Sequence, residues 1–271
     1  MSTIDASILQ LFPSASGTLP GILYGQAAGA SGSGVDPITA LQVAEAGETK
    51  AVAVVAAQPE TARDIAAFKA ALAAAKTPAD LLKNPVALRV LLTANGLGDQ
   101  AQYPALASKA LLSDTSKAGS LASTLSNTQF LATAKTYDFA NKGLSVLQGA
   151  VDGVVQGYAE VQWRTGLDAS TPGLSNALDF RSRASTISSV DQILGDATLR
   201  TVVTTALGIP QQIAFQTLGA QETAISSRVD IAKFKDAAFV DQFTKRYLIE
   251  AQAASASSST GSSTGVFSLF A

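Results

Sequence analysis

The sequence predicts an all-α protein of two similar helical units joined by a long amphipathic helix, with flexible N- and C-terminal arms. Three observations support this fold class. Apolar residues recur at helical steps of three and four, and a clean alternating strand pattern appears nowhere. Residues typical of helix caps punctuate the chain. Finally, the stretch DLLKNPVALRVLLTANGL at 80–97 closely resembles QILGDATLRTVVTTALGI at 192–209.

The composition fits a folded protein and excludes several kinds of site. Of 271 residues, 47% are hydrophobic, which is enough to fill a core. The 19 basic and 21 acidic residues form no basic run, so a nucleic-acid partner is not indicated. The chain has no Cys and no His, which excludes thiolate nucleophiles, imidazole bases and nearly every zinc, copper or haem arrangement. We therefore expect no cofactor and no metal.

Neither a membrane-spanning segment nor a secretory signal is indicated. The apolar run AVAVVAA at 51–57 is far shorter than the roughly 20 residues that a bilayer-spanning helix requires. The N-terminal stretch MSTIDASILQLFPSASG lacks the basic and the long apolar regions of a secretory signal. We expect no membrane insertion, while export without a cleavable signal stays open.

Residues 1–34 are predicted to be a flexible N-terminal arm, because Gly, Ser and Ala dominate them. Its GASGSG stretch is a linker and not a phosphate-binding loop, since no strand precedes it and no Lys follows at the required spacing. The first helical unit, 35–140, begins with an Ala-rich helix after Asp36 that Pro59 interrupts. A second helix is predicted over 60–75, with an apolar stripe of Ile65, Phe68 and Leu72.

The repeated stretch is predicted to be a pair of short helices with defined ends. Thr77 is a hydroxyl N-cap followed by Pro78, with Asp80 at the third helical position. Asn84 caps the second helix of the pair, and Gly96 ends it in the left-handed conformation.

The second copy repeats these signals at a constant offset of 112 residues (192 − 80 = 112). Asp196 replaces Asn84 as a cap and Gly208 replaces Gly96, while Ser188 is predicted to open the first helix. Downstream, 126–139 and 235–248 both place a polar cap before a phenylalanine. We expect the segments 78–139 and 189–248 to superimpose. The residues predicted to be buried are Leu82, Val90, Leu91, Phe130, Leu194, Val202, Val203 and Phe239.

A connecting helix is predicted over 141–165, because its apolar residues follow steps of three and four despite four glycines. The second helical unit spans 166–250. Residues 251–271 are predicted to be a flexible tail with an apolar tip, VFSLFA, on a Ser- and Gly-rich tether. Such a tip has no core of its own, so Phe267, Leu269 and Phe270 are candidate partner-binding residues, with docking on the protein's own body as the alternative.

Other polar candidates are better explained by helix structure. Asp230, Asp236 and Asp241 suggest paired acids or a metal, but Asp236 fits a cap and Asp241 a pair with Lys245. Arg181 and Arg183 fit the polar side of a helix better than a grip on an anionic partner. Trp163, the single tryptophan, fits a core anchor better than an interface.

Several blocks resemble the bacterial domain-of-unknown-function family 1217 over roughly residues 58–250. The strongest are the LLKN start, the TANGL helix end and SSVDQILGDATLRTVV in the second copy. This resemblance implies a helical fold and no known catalytic residue. Family members are typically encoded among flagellar genes of alphaproteobacteria, which implies a flagellar role.

The composition agrees with that implication, since flagellar axial and export substrates are commonly Cys-free and rich in Ala, Ser, Thr and Gln. We therefore expect a non-enzymatic structural or assembly protein of the flagellum, or one exported without a cleavable signal. Its partners would be other flagellar or export proteins, or further copies of itself. The alternative is a cytoplasmic adaptor or regulator of flagellar export. An enzyme that uses carboxylates is disfavoured, because no acid pair has a context that demands an altered pKa.

Overall fold

The structure, a computed structural model, describes the backbone of residues 36–260 and the side chains of residues 36–256. Within that range every regular element is a helix, which confirms the predicted all-α class. The predicted N-terminal arm, 1–34, lies outside the described residues. No helix in the described range is both long enough and apolar enough to cross a bilayer.

The helices vary in length from a single turn to more than six turns. In chain order they are α1 (Pro37–Ala56), α2 (Pro59–Ala74), α3 (Pro78–Lys83), α4 (Pro85–Ala94), α5 (Pro104–Leu111), α6 (Leu121–Thr124), α7 (Thr128–Tyr137), α8 (Phe139–Lys142), α9 (Ser145–Leu167), α10 (Leu174–Arg183), α11 (Val190–Gly195), α12 (Ala197–Ala206), α13 (Leu218–Ser226) and α14 (Ala237–Thr260). Short 3-10 helices cover Gly98–Gln102, Ala184–Thr186, Gln211–Phe215 and Ile231–Lys235.

Prolines begin five of the helices. A proline at the first helical position loses no hydrogen bond, and its fixed φ suits the helix. In α1 the cap is completed by Asp36, whose carboxylate accepts a hydrogen bond from the backbone N–H of Thr39 at 2.9 Å. The prolines concerned are Pro37, Pro59, Pro78, Pro85 and Pro104.

Both copies of the helix pair begin on a hydroxyl cap. The Thr77 hydroxyl accepts from the Asp80 N–H at 3.1 Å, and the Ser189 hydroxyl accepts from the Gln192 N–H at 3.2 Å. The cap of the second copy is thus Ser189, and the prediction of Ser188 was wrong by one residue. Ser188 lies before the helix, where its N–H donates to the Gln192 side chain at 2.7 Å. The correction keeps the offset of 112, since 77 + 112 = 189.

Both copies also end in the same turn. Gly96 and Gly208 have φ of 71° and 62°, the left-handed region that glycine adopts without a Cβ penalty. The next residue in each copy donates its N–H across the turn, from Leu97 to the Leu92 carbonyl and from Ile209 to the Thr204 carbonyl, both at 2.8 Å. This is the Schellman pattern that satisfies terminal carbonyl groups. Superposition of the longer segments, 78–139 and 189–248, stays a prediction.

The buried side chains form two hydrophobic cores. The first core lies among α2–α5, α7, α8 and the N-terminal part of α9, with Phe68, Leu91, Leu111, Phe130, Leu147 and Tyr158 among its members. The second core lies among α1, the C-terminal part of α9 and α10–α14, with Leu41, Trp163, Phe180, Val203, Phe234 and Leu248 among its members. Trp163 is a core anchor, as predicted.

The long helix α9 contributes to both cores, as a connecting helix should. Val154 and Tyr158 lie in the first core, whereas Ala159, Trp163 and Leu167 lie in the second. The sequence analysis placed residues 35–56 in the first unit, but the buried side chains of α1 pack in the second core.

Two details of the C-terminal region differ from the predictions. Phe239 is only partly buried, because it lies in the first turn of α14 and packs over the buried rings of Phe234 and Phe243. In addition, α14 continues to Thr260, so the predicted flexible tail begins as helix. A helix that is already nucleated by its packed part propagates at little cost through Ala and Gln. The other residues predicted to be buried are buried.

Candidate functional site

An ion-pair network of arginines and carboxylates joins four helices of the second core. Arg164 on α9 is 8% exposed and pairs with Glu160 on its own helix, with Glu48 on α1 at 3.5 Å and with Asp179 on α10 at 3.6 Å. Arg183 also pairs with Asp179. Removing one partner from such a buried network leaves an uncompensated charge, so the network holds these helices in register.

Arg183 extends this network to α12, because it binds the Asp196 carboxylate at 2.7 Å. Asp196 also caps α12 by accepting from the Leu199 N–H at 2.9 Å. Burial lowers the pKa of Arg183, but the hydrogen bond to Asp196 and the charge of Asp179 outweigh that effect, and the pKa is raised. Arg183 is therefore held as a cation by its own neighbours.

Arg181 belongs to a separate, more exposed set of pairs. It binds Glu45 of α1 at 2.7 Å and Asp241 of α14 at 2.8 Å. Asp241 also binds Lys245 at 2.7 Å, which confirms the predicted pair. These two cations lower the pKa of Asp241, Lys245 having the larger effect. Arg181 and Arg183 thus bridge helices and are not merely the polar side of one, as the sequence suggested.

The chemistry of the network does not favour an anionic ligand. Two arginines, Arg164 and Arg183, face four carboxylates in the described structure: Glu48, Glu160, Asp179 and Asp196. Burial raises the pKa of Glu160, although the charge of Arg164 opposes this. A cleft of 250 Å³ lies beside the network, between α4, α7, α9 and α10, and polar side chains from both halves line it.

The remaining acids have structural roles. Asp236 accepts from the Ala238 N–H at 2.9 Å, which confirms it as a cap, and Asp230 caps a 3-10 helix through the Ala232 N–H at 2.9 Å. Asp64 of α2 accepts a hydrogen bond from the Tyr158 hydroxyl at 2.5 Å. Burial and that hydrogen bond raise the pKa of Tyr158 to about 12. Within 36–260 no group of acids is arranged to hold a metal ion.

The most unusual surface feature is a pair of apolar side chains that occurs once after each Schellman turn. Tyr103 is 54% exposed and Leu106 is 37% exposed. Phe215 is 90% exposed and Leu218 is 58% exposed. Both pairs lie seven and ten residues after the glycine of their turn, since 103 + 112 = 215 and 106 + 112 = 218. We call them the first and the second apolar pair.

Sequence reasoning missed these pairs, although the signal was present. The offset of 112 was applied only to residues expected in the core, whereas it also aligns Tyr103 with Phe215. The predicted binding residues, Phe267, Leu269 and Phe270, lie outside the described residues. The structure therefore offers the two apolar pairs as the candidate interaction site.

A groove between α1 and α9 is a further surface feature. Its volume is 540 Å³, and apolar side chains from both helices form much of its lining, including Val52, Ala53, Ala56, Val155 and Ala159. Acidic side chains, Glu48, Asp152 and Glu160, lie at its edges. No element in the described range fills it.

Comparison with known proteins supports the fold. A crystal structure of a protein from Agrobacterium tumefaciens matches with a TM-score of 0.68 over 82% of this chain and 97% of that chain. Its sequence identity of 23% shows a shared fold alone. The comparison with curated proteins gives no match. A family model described as protein of unknown function (DUF1217) matches residues 94–240, which is more than half of the chain, and the chain belongs to this family.

Proposed function

We propose that the protein is a non-enzymatic structural or assembly protein of the bacterial flagellum, acting through protein–protein contacts. The observation that carries a binding role is the second apolar pair, because a phenylalanine that is 90% exposed beside an exposed leucine is typical of a contact surface. The flagellar setting comes from the family resemblance and from the Cys-free, Ala- and Ser-rich composition.

The described polar groups support a structural role over a catalytic one. Asp196, Asp230 and Asp236 cap helices, and Asp179 and Asp241 bind arginines. Each of these carboxylates is thus committed to holding the fold. We assign no catalytic residue and no cofactor.

Gene deletion in the bacterium that encodes the protein tests this proposal. We expect the deletion strain to lose motility or to assemble fewer or altered flagella, and a plasmid copy to restore them. Unchanged flagella, motility and secreted flagellar proteins would sink the proposal.

Cell fractionation separates the leading form from its alternative, a cytoplasmic adaptor or regulator of export. In cells with an intact flagellar export apparatus, we expect the protein in the flagellar or secreted fraction. In cells without the apparatus, we expect it to accumulate inside. A protein that stays in the cytoplasm of both strains supports the adaptor.

A further inference from the structure

We infer that the two apolar pairs form a bivalent docking surface for an assembly of identical subunits. This inference rests on the proposed function and specifies the partner. Its starting point is that both pairs occupy the same place relative to the repeated turn, at seven and ten residues after Gly96 and Gly208.

Folding does not require these side chains to be apolar. In each copy the residue after the turn glycine already anchors the chain in its core: Leu97 is fully buried, and Ile209 is 6% exposed. Phe215 and Leu218, by contrast, leave most of their surface in water. Apolar side chains in such a position gain free energy only when another molecule covers them.

The apolar area limits what the partner can be. A buried aromatic ring removes about 150–250 Å² from water, whereas a stable complex buries about 800 Å² on each partner. One apolar pair supplies only a fraction of that area. The pair is therefore too small to hold a lasting dimer of this chain by itself.

Two weak sites on one folded body bind strongly when the partner repeats. After the first site is occupied, the second binds at a high effective concentration, provided that the partner presents a matching site within reach. A polymer of identical subunits meets this requirement and a single subunit does not. The partner chemistry is therefore an apolar pocket that accepts an aromatic ring and an adjacent leucine, displayed at regular spacing. A flagellar filament is such a polymer.

Co-sedimentation tests the inference with isolated flagellar filaments and with monomers obtained by depolymerising the same filaments. We expect the wild-type chain to bind filaments at least tenfold more tightly than monomers. The variants Y103A/L106A and F215A/L218A should each weaken filament binding about tenfold or more, and the combined variant should reduce it to background. Ile249→Ala, at a side chain on α14 that is 52% exposed, is the matched control and should bind like the wild type.

Three results would overturn the inference: no filament binding by the wild type, equal binding to monomers and filaments, or wild-type binding by the combined variant. Circular dichroism and thermal melting of every variant separate lost contacts from lost folding. The proposed function is judged independently by the deletion strain. A motility defect together with unchanged binding by the combined variant removes the docking surface and leaves the flagellar role.

Discussion

The two copies of the helix pair share their ends but differ in their surroundings. Asn84 caps α4 with a neutral side chain that accepts from the N–H groups of Val86 and Ala87, both at 3.0 Å. Asp196 caps α12 with a charged side chain that is only 5% exposed and that Arg183 also binds. In the first copy α4 packs against α9, whereas in the second copy α12 packs against α14. The same local signal therefore has an additional tertiary role in the second copy.

The largest expected effects come from two buried phenylalanines at equivalent positions, since 68 + 112 = 180. Phe68 lies in the first core and Phe180 in the second, where its ring centroid lies 5.4 Å from that of Phe234 and 5.6 Å from that of Phe243. Either Phe→Ala change should lower the free energy of unfolding by about 3–5 kcal/mol. Phe180→Ala should cost more, because it also removes ring–ring contacts. Urea unfolding of both variants measures the difference, and equal costs would contradict it.

The two caps should differ in cost as well. Asn84→Ala removes a cap and should cost about 0.5–2 kcal/mol. Asp196→Ala removes a cap and leaves Arg183 with one carboxylate fewer in a buried network, so we expect about 3 kcal/mol or more. Thermal and urea unfolding provide the two values. If they agree within error, the buried pair adds nothing to the second cap.

The helix before each cap provides a third contrast, at Lys83 and Gly195 (83 + 112 = 195). A Cβ on Gly195 would lie 2.2 Å from the Ser126 carbonyl oxygen, so the second copy approaches the first half closely at this point. Gly195→Ala should therefore cost about 1–3 kcal/mol through a forced backbone shift. Lys83, with its side chain in solvent, is the matched control, and Lys83→Ala should change stability by less than about 0.5 kcal/mol.

The smallest predicted effect is a change in a tyrosine pKa. Asp64 accepts the Tyr158 hydrogen bond, and the equivalent residue in the second copy is Asn176, which donates to the Tyr247 hydroxyl at 3.3 Å. Asp64→Asn removes the carboxylate that helps to raise the pKa of Tyr158, so that pKa should fall from about 12. The ring resonances of Tyr158, followed by NMR from pH 9 upward, measure it.

The sign of the stability effect follows from the same shift. The folded chain holds the Tyr158 proton more tightly than the unfolded chain, whose tyrosine pKa is about 10. This contribution to stability is complete below pH 10 and is lost as the pH rises towards 12. The loss should be smaller in Asp64→Asn, and an equal or larger loss would contradict the assignment.

These comparisons show which features the sequence could predict. Caps and turns depend on neighbouring residues, so Thr77, Asn84, Gly96 and Gly208 were predicted correctly, and only Ser188 was misplaced by one residue. Burial of the regular apolar stripes was also predictable, because the period of the helix fixes one face.

Features that depend on distant contacts could not be predicted in this way. The pairing of Arg183 with Asp196 and of Arg181 with Glu45 requires knowing which helices meet, and α1 packs in the second core for the same reason. Phe239 was misjudged because Phe234, from a 3-10 helix, fills the buried position instead. The exposed apolar pairs differ, because their repeat was visible in the sequence, although their exposure was not.

Hydrogen exchange of the free and the filament-bound chain tests the central claim most directly. The account holds that equivalent surfaces in the two copies contact the partner together. It predicts that backbone amides of both 98–106 and 211–218 exchange more slowly in the complex, while those of the control region around Ile249 do not change. Protection confined to residues 261–271, or to one apolar pair alone, would contradict the account.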